Sequence, residues 1–377
     1  MEDTESVAEA VSVRSATLPA PPAPSLLPRT FDIAVLPGDG IGPEVMAEAL
    51  RVLNAVIDGT PAVRLAFQEL PAGAGEFLRG GDPLPAATLD ACRQADAILM
   101  GAMGLPDIRW PDGREIAPQI DLREQLDLYC GLRPIHLYHA VDTPLKRYEA
   151  GDIDLLIVRE NTEGLFSSRG RQPSADASEV HDVMRISRAG SQRLFRAAFE
   201  EARRRRRKVT LVDKANVLPS MVFFRALFDE VAQDFPDVQT ERLYVDAAAL
   251  YLIQRPETFD VIVTENMFGD ILSDLAAALV GGMGLAPSAD IGDQSAVFQP
   301  AHGTAPDIAG RSIANPVAMI LSAAIMLNWL GDPQTIAAAA RIRRAVSRVL
   351  TNSTSRTAEL GGHLSTRAMG DAILAAL

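Results

Sequence analysis

Cysteine is almost absent: of 377 residues, only Cys92 and Cys130 carry a thiol. Two thiols cannot frame a disulfide scaffold, so a reduced, cytoplasmic protein is expected and neither cysteine is given a catalytic role. Long apolar runs are missing as well. No stretch approaches the roughly 20 residues that span a bilayer, so no membrane-spanning helix is expected. Basic residues are in deficit, 36 Lys and Arg against 49 Asp and Glu, for a net charge of −13. Such a chain repels nucleic acid and anionic membranes as a whole, yet arginines or a metal can reverse the field locally and capture a substrate anion. The start lacks a basic region: Glu2, Asp3, Glu5 and Glu9 stand where a signal or transit peptide has Lys or Arg.

The length suffices for a large core and suggests two or three domains, or one interleaved pair. Residues 1–28 place Pro19, Pro21, Pro22, Pro24 and Pro28 among Ala and Ser with few large apolar anchors, and read as a disordered extension. From Phe31 the pattern changes. An apolar run to Leu36 leads into Gly38, Gly40 and Gly42 and then a helix entered through Pro43. Short apolar runs recur at Ala97–Met100, Leu155–Val158, Val209–Val212 and Val261–Val263, near helical patterns such as Ala318–Leu330. This alternation predicts an α/β protein with a largely buried sheet, and no internal repeat is present. The three glycines do not have the dinucleotide-binding spacing, and no acidic residue ends a recognisable second strand, so a Rossmann reading is rejected.

Three aspartates stand out. Asp270 and Asp274, four residues apart in Gly269-Asp270-Ile271-Leu272-Ser273-Asp274, fall on one helical face and can offer two carboxylates to one Mg²⁺ or Mn²⁺. Asp246 would supply a third hard oxygen. The plainer alternative has Asp270 capping a helix start after Gly269, with Asp274 merely solvated. Arg203–Lys208 is a basic run between a helical stretch and a strand; it reads as the solvated end of a helix, where cations complement the dipole, rather than as a nucleic-acid patch.

The segment Gly269–Asp274 leading to Gly282-Met283-Gly284-Leu285 resembles the signature of the isocitrate and isopropylmalate dehydrogenases, the metal-dependent β-decarboxylating family. The likeness runs from Phe31 to Leu377. It also rests on Leu36-Pro37-Gly38-Asp39-Gly40-Ile41-Gly42-Pro43-Glu44, Arg159-Glu160-Asn161-Thr162-Glu163-Gly164, Asp213–Leu218 and His302-Gly303-Thr304-Ala305-Pro306-Asp307-Ile308-Ala309-Gly310. It implies an isopropylmalate dehydrogenase-like α/β fold, two interleaved α/β domains around a large mixed sheet with a cleft between them. Residues 29–127 plus 282–377 would bind cofactor; residues 128–281 would carry substrate, metal and dimerisation.

By the same resemblance Arg123, Arg133 and Arg159 grip the substrate carboxylates, a task suited to guanidinium forks. Lys214 takes the hydroxyl proton as hydride leaves C2, and Lys214 and Asp246 reach the site from the neighbouring subunit of a homodimer, so a monomer would be inactive. Asp246, Asp270 and Asp274 would hold Mg²⁺ or Mn²⁺. His302, Gly303, Thr304, Ala305, Asp307 and Asn315, with Asn216, would bind NAD. A carboxylate at Asp307 accepts from both ribose hydroxyls and repels a 2′-phosphate, and NADP-using relatives have Lys-Tyr where this chain has Asp307-Ile308. Gln299 stands where many relatives have glutamate. Phe166 stands where many have the tyrosine that protonates the enolate, and a phenyl ring cannot donate a proton. Lys214, a water, Ser167 or Ser168 would then complete the cycle.

The resemblance implies that the group on substrate C3 is read by Glu115–Leu122. Ile116 and Ile120 would pack an alkyl group, Gln119 would bond a polar one, and Asp121 would repel an extra carboxylate if it faced the site. The leading substrate is therefore a 3-alkylmalate such as 3-isopropylmalate, ahead of D-malate or tartrate and then isocitrate or homoisocitrate. Two rivals lie outside this class: a non-catalytic regulatory paralogue, which only Phe166 favours, and an RNA binder acting through Arg203–Lys208.

Overall fold

The computed structural model describes residues 28–377, apart from 61, 171–173 and 175. The extension expected at residues 1–28 therefore lies, Pro28 aside, outside the described residues. Ten strands are described: β1 Arg29–Leu36, β2 Val63–Glu69, β3 Ala97–Met100, β4 Cys130–His136, β5 Asp154–Glu160, β6 Lys208–Asp213, β7 Gln239–Tyr244, β8 Val261–Thr264, β9 Pro287–Ile291 and β10 Ala296–Pro300. Eleven α-helices accompany them: α1 Gly42–Ile57, α2 Ala74–Gly80, α3 Ala86–Gln94, α4 Pro118–Gln125, α5 Arg188–Arg203, α6 Pro219–Ala232, α7 Val245–Gln254, α8 Asn266–Ala278, α9 Val317–Trp329, α10 Pro333–Thr351 and α11 Thr366–Ala376. Every apolar run singled out above lies in one of these strands, and the Ala318–Leu330 pattern is α9.

The strands form one mixed sheet in the order β2-β1-β3-β10-β9-β4-β5-β8-β6-β7. β9 runs antiparallel to both β10 and β4, and β4 antiparallel to β5, while the two flanks are parallel. Half of the sheet thus comes from the two ends of the chain and half from its middle, and the seam is the β9–β4 pair. Parallel flanks need helical cover on both faces, which is why strands such as β3 and β8 are apolar throughout instead of alternating.

Each half has its own core. In the first, α9 is buried on all sides, with Val317, Met319, Ile320, Ala323, Ala324 and Leu327 packed between the sheet and α1 and α10. In the second, α5 and α6 interlock through phenylalanines: Phe199 stacks on Phe228 and Phe235 at 5.3 and 4.8 Å, and Phe195 meets Phe224 at 4.6 Å. Burying one such ring stabilises by about 1.5–3 kcal/mol. Most of the basic run is paired with acids, largely at the surface. Arg203 pairs with Asp237, Arg204 with Glu201, Arg205 with Asp154 and Asp260, and Lys208 with Glu241, at 2.7 to 2.9 Å. Arg203 closes α5 and the run that follows it is largely exposed, the solvated helix end that the sequence suggested.

Candidate active site

The loop after β1 sets the edge of the site. Gly38 and Gly40 have φ of +78° and +57°, and a Cβ on either would stand 2.1 Å from the carbonyl oxygen of Ala102 or of Thr304. Only glycine lets this turn press against the two segments that wall the cleft. The Ile41 N–H donates to the Thr304 carbonyl at 2.9 Å, tying the turn to the stretch expected to hold cofactor.

The three arginines come from three elements, Arg123 near the end of α4, Arg133 within β4 and Arg159 near the end of β5, and all three are buried. They line one cavity of about 240 Å³ with Met103, Gln119, Ile120, Phe166, Asp270 and His302. What holds such charges together away from water is Asp290 on β9. It accepts from Arg123 Nε at 2.9 Å, Asn161 Nδ2 at 2.8 Å and Gln299 Nε2 at 2.6 Å, and lies 3.6 Å from Arg133 Nη2. Burial alone would raise its pKa, but Arg123 and Arg133 hold its carboxyl below the usual aspartate value. Arg159 donates to Asn266 Oδ1 through Nε and Nη2 at 3.1 and 2.7 Å and to Asp270 through Nη1. Burial, with Arg123 close by, brings the Arg159 pKa down to about 10, which leaves it charged at neutral pH. Arg133 Nη1 is buried with no protein partner. An orphaned guanidinium donor beside this cavity is a socket for an anion.

Helix α8 starts at Asn266 because the Glu265 side chain accepts from the Phe268 N–H at 2.7 Å. Asp270 therefore does not cap a helix start, as the plainer sequence reading had it; it sits one turn in, bound to Arg159. Arg159 crosses the helix so closely that a Cβ on Gly269 would lie 2.6 Å from its Cγ. Asp274 follows one turn later, half-buried, its pKa raised by burial and by the Asp270 charge. Two carboxylates that strain against each other suit a divalent cation, and Arg133 and Arg159 neutralise them only in part.

Asp246 stands elsewhere. It begins α7 and takes a hydrogen bond from Lys214 Nζ at 2.5 Å, and Asn216 lies exposed two residues beyond Lys214, outside both cavities of the cleft. Among the described residues no cluster of three His, Cys, Asp or Glu side chains is placed to hold a metal within one protomer. Within a single chain the expected aspartate triad is thus split into a pair and a separate Lys214–Asp246 unit.

A second cavity of about 370 Å³ adjoins the first through His302, which lines both. Ile41, Ala305, Ile308 and Ile313 give it flat apolar walls, with Asn315 and Glu359 as polar residues. His302 Nε2 is buried without a partner and Asn315 lies against the Glu359 carboxylate, an open ring nitrogen and an amide that suit a planar heteroaromatic base. Gly303 and Asp307 are exposed, Thr304 is buried, and Ala305 has an unusual φ of +39°.

Around substrate C3 the sequence reading needs correction. Gln119 and Ile120 line the arginine cavity, but Ile116 is fully buried and is not among its walls. Asp121 is bound by Arg169 and does not line the cavity, so the condition for it to repel a substrate carboxylate is not met. Ser167 donates to the Gly164 carbonyl at 2.8 Å, and the Ser168 hydroxyl is bonded to the backbone of Val183. Neither hydroxyl lines the cavity, so neither stands in for the missing tyrosine; Phe166 instead lies with its ring 5.4 Å from the Arg159 guanidinium. The sequence reading missed Asp290, Asn161 and Glu265. The available signal was a carboxylate inside the otherwise small and apolar strand Pro287–Ile291.

The isocitrate/isopropylmalate dehydrogenase family model matches residues 32–373. A 3-isopropylmalate dehydrogenase of Moorella thermoacetica is 47% identical over 326 residues, 85% of this chain and 90% of that protein. The 3-isopropylmalate dehydrogenase of Escherichia coli strain K12 is 42% identical, over 92% of this chain and 97% of its own length. Among solved structures, an isocitrate dehydrogenase from Methylococcus capsulatus superimposes with a TM-score of 0.82 at 38% identity, covering 92% of this chain and 99% of that one. A β-decarboxylating dehydrogenase from Thermococcus kodakarensis gives 0.75 at 38% identity, covering 92% and 96%. The chain belongs to the isocitrate/isopropylmalate dehydrogenase family.

Proposed function

We propose that this chain performs NAD-dependent, Mg²⁺- or Mn²⁺-assisted oxidative decarboxylation of a malate-type 2-hydroxy acid, with a 3-alkylmalate such as 3-isopropylmalate as substrate. The observation that carries this reading is the convergence of Arg123, Arg133 and Arg159 on one cavity, with Asp270 on its wall and one buried guanidinium donor unpaired. The relatives named 3-isopropylmalate dehydrogenase support the alkyl substituent, as do Met103, Ile120 and Phe166, which give the cavity an apolar side. A second reading, a substrate with a polar C3 group such as tartrate or isocitrate, draws on Gln119, whose Oε1 is buried without a partner.

The arginines fix the substrate carboxylates bidentately and so orient C2 before reaction. Asp270 and Asp274, with Asp246, would hold the cation, and His302–Asp307 with Asn315 would hold the adenosine half of NAD. When bound, NAD accepts hydride from C2, and the cation polarises the C2 oxygen and offsets the charge that develops as CO₂ leaves. Lys214 takes the C2 hydroxyl proton and, with no hydroxyl at Phe166, returns one to C3, directly or through water. Exposed Asp307 favours NAD by repelling a 2′-phosphate.

A homodimer is part of the proposal, because Lys214 and Asp246 stand apart from the arginine cavity and need a second chain to serve it. Leu250 and Ile253 on α7 and Ile271 on α8 are exposed on packed neighbouring helices, a surface suited to a second copy. Residues 29–127 plus 282–377 would form the cofactor domain and 128–281 the substrate and dimerisation domain. Cytoplasmic location belongs to the same reading, resting on Cys92 and Cys130, both buried and unbridged. No helix among the described residues is long and apolar enough to cross a membrane.

The test is NADH formation with Mn²⁺ and NAD across 3-isopropylmalate, D-malate, tartrate, isocitrate and homoisocitrate, with Asp270→Asn as control. Turnover of 3-isopropylmalate that the control loses is expected. Preference for one of the others would transfer the assignment to that C3 group, and no turnover from a folded dimer would sink the catalytic reading.

A further inference from the structure

Behind the β9–β4 seam lies a cavity of about 380 Å³ that the proposed reaction does not use. Its walls are apolar where they meet the core: Pro134 on β4, Pro287 on β9, and Leu321 and Ile325 on α9. Strand alternation separates it from the arginine cavity, since Pro134 and His136 point to the opposite face of β4 from Arg133, and Pro287 to the opposite face of β9 from Asp290. One end is cationic. Arg343 on α10 is partly buried, and among the described residues it meets no carboxylate; the titratable group acting on it is the phenol of Tyr138. Asp154, the one acid in the lining, is already engaged by Arg205 at 2.9 Å and by Arg206 at 3.8 Å. Tyr138 and His136 pack edge to face at 4.7 Å and form an aromatic side wall. A partly desolvated guanidinium without a counter-ion, set beside an apolar hollow, lacks the partner that such cations ordinarily have.

We infer that this cavity is a second ligand site, which takes a small carboxylate with an apolar body, the carboxylate on Arg343, with Arg344 also in the lining, and the hydrocarbon between the two prolines and α9. Inorganic phosphate alone would leave the apolar walls unused, and a neutral apolar molecule would leave the cation unpaired. The volume suits a ligand of roughly ten heavy atoms or fewer, at the small end of ligand pockets.

The probe is 4-methylpentanoate, titrated into the intact protein by calorimetry, with 4-methylpentanol, acetate and phosphate as comparisons. Binding at millimolar concentration is expected, at least tenfold tighter than any comparison. Arg343→Gln should weaken it at least tenfold, equivalent to about 1.4 kcal/mol. Ser347→Trp, at the exposed rim, should block entry to the same degree with little risk to folding. Both variants should retain kcat/KM for the dehydrogenase substrate, since neither residue lines the arginine cavity. The inference is overturned if 4-methylpentanoate does not bind, if phosphate binds equally well, or if both variants bind it as the parent does, which would place it on the active-site arginines.

Discussion

At the scale of single residues, the site is governed by how buried charges are balanced. Arg133 gives a direct case: Nη2 faces Asp290 and Nη1 has no partner, so the side chain is half committed to the protein and half available to a ligand. Arg133→Gln should lower kcat/KM about 10- to 100-fold, mostly through KM, as expected for loss of one charge-assisted contact made in ground and transition states alike. Steady-state kinetics at saturating NAD checks this, and a loss confined to kcat would contradict it. Glu265 gives the pH case. Burial, its largest influence, raises the Glu265 carboxyl above its ordinary value of 4.5, despite the hydrogen bond from Phe268. The folded protein therefore binds this proton more tightly than the unfolded chain. The associated stability is present below 4.5 and is lost as pH rises through the raised folded value. Glu265→Gln keeps an oxygen to cap α8 and removes that loss. As pH rises from about 5 to about 8, its unfolding free energy from urea titration should fall less than the parent's, and an equal fall in both would contradict the assignment.

At the scale of elements, the basic run before β6 shows how local charge becomes architecture. Arg205 bridges Asp260, which is almost wholly buried, and Asp154 at the start of β5, and so ties the α5–β6 turn to β5 and β8. Arg205→Ala should cost about 2–4 kcal/mol, because it strips a buried carboxylate of its main cation. Arg204→Ala, at an exposed i,i+3 pair with Glu201, should cost under about 0.5 kcal/mol. Denaturant titration of the two variants separates these values, and equal costs would refute the clamp. The sequence made these elements legible to different degrees. Strands such as Ala97–Met100 and Val261–Thr264 could be read because a buried parallel strand leaves a short unbroken apolar run. The i,i+4 aspartates of α8 could be read because helical periodicity is local. Asp290 could be noticed only as a carboxylate in a small-residue strand; its role could not be read, since that depends on Arg123, Arg133 and Gln299, and Arg123 lies 167 positions away. The same holds for Ile116: it lies two residues before α4 and is fully buried, whereas Gln119 and Ile120 in the first turn of α4 line the cavity, a difference no spacing rule supplies.

At the scale of the whole molecule, the proposed homodimer rests on the separation of Lys214–Asp246 from the arginine–Asp270 cavity. Each active site of a symmetric dimer would draw its lysine from one subunit and its arginines and α8 aspartates from the other. Co-expression of two inactive variants tests this without any new contact being engineered. Lys214→Ala and Asp270→Asn should each be inactive as homodimers. In a mixed dimer one site would receive both defects and the other neither, since the intact lysine of one chain meets the intact aspartate of its partner. Random pairing makes half the dimers mixed, each with one sound site of two, so about a quarter of parental activity should return. Differentially tagged, purified heterodimers should reach about half. If Lys214 served the cavity of its own chain, each site of the mixed dimer would carry one defect and no activity would return. The Leu250→Glu and Ile253→Glu double variant on α7 should give a folded monomer with no turnover, seen by sedimentation, because the site cannot then be completed.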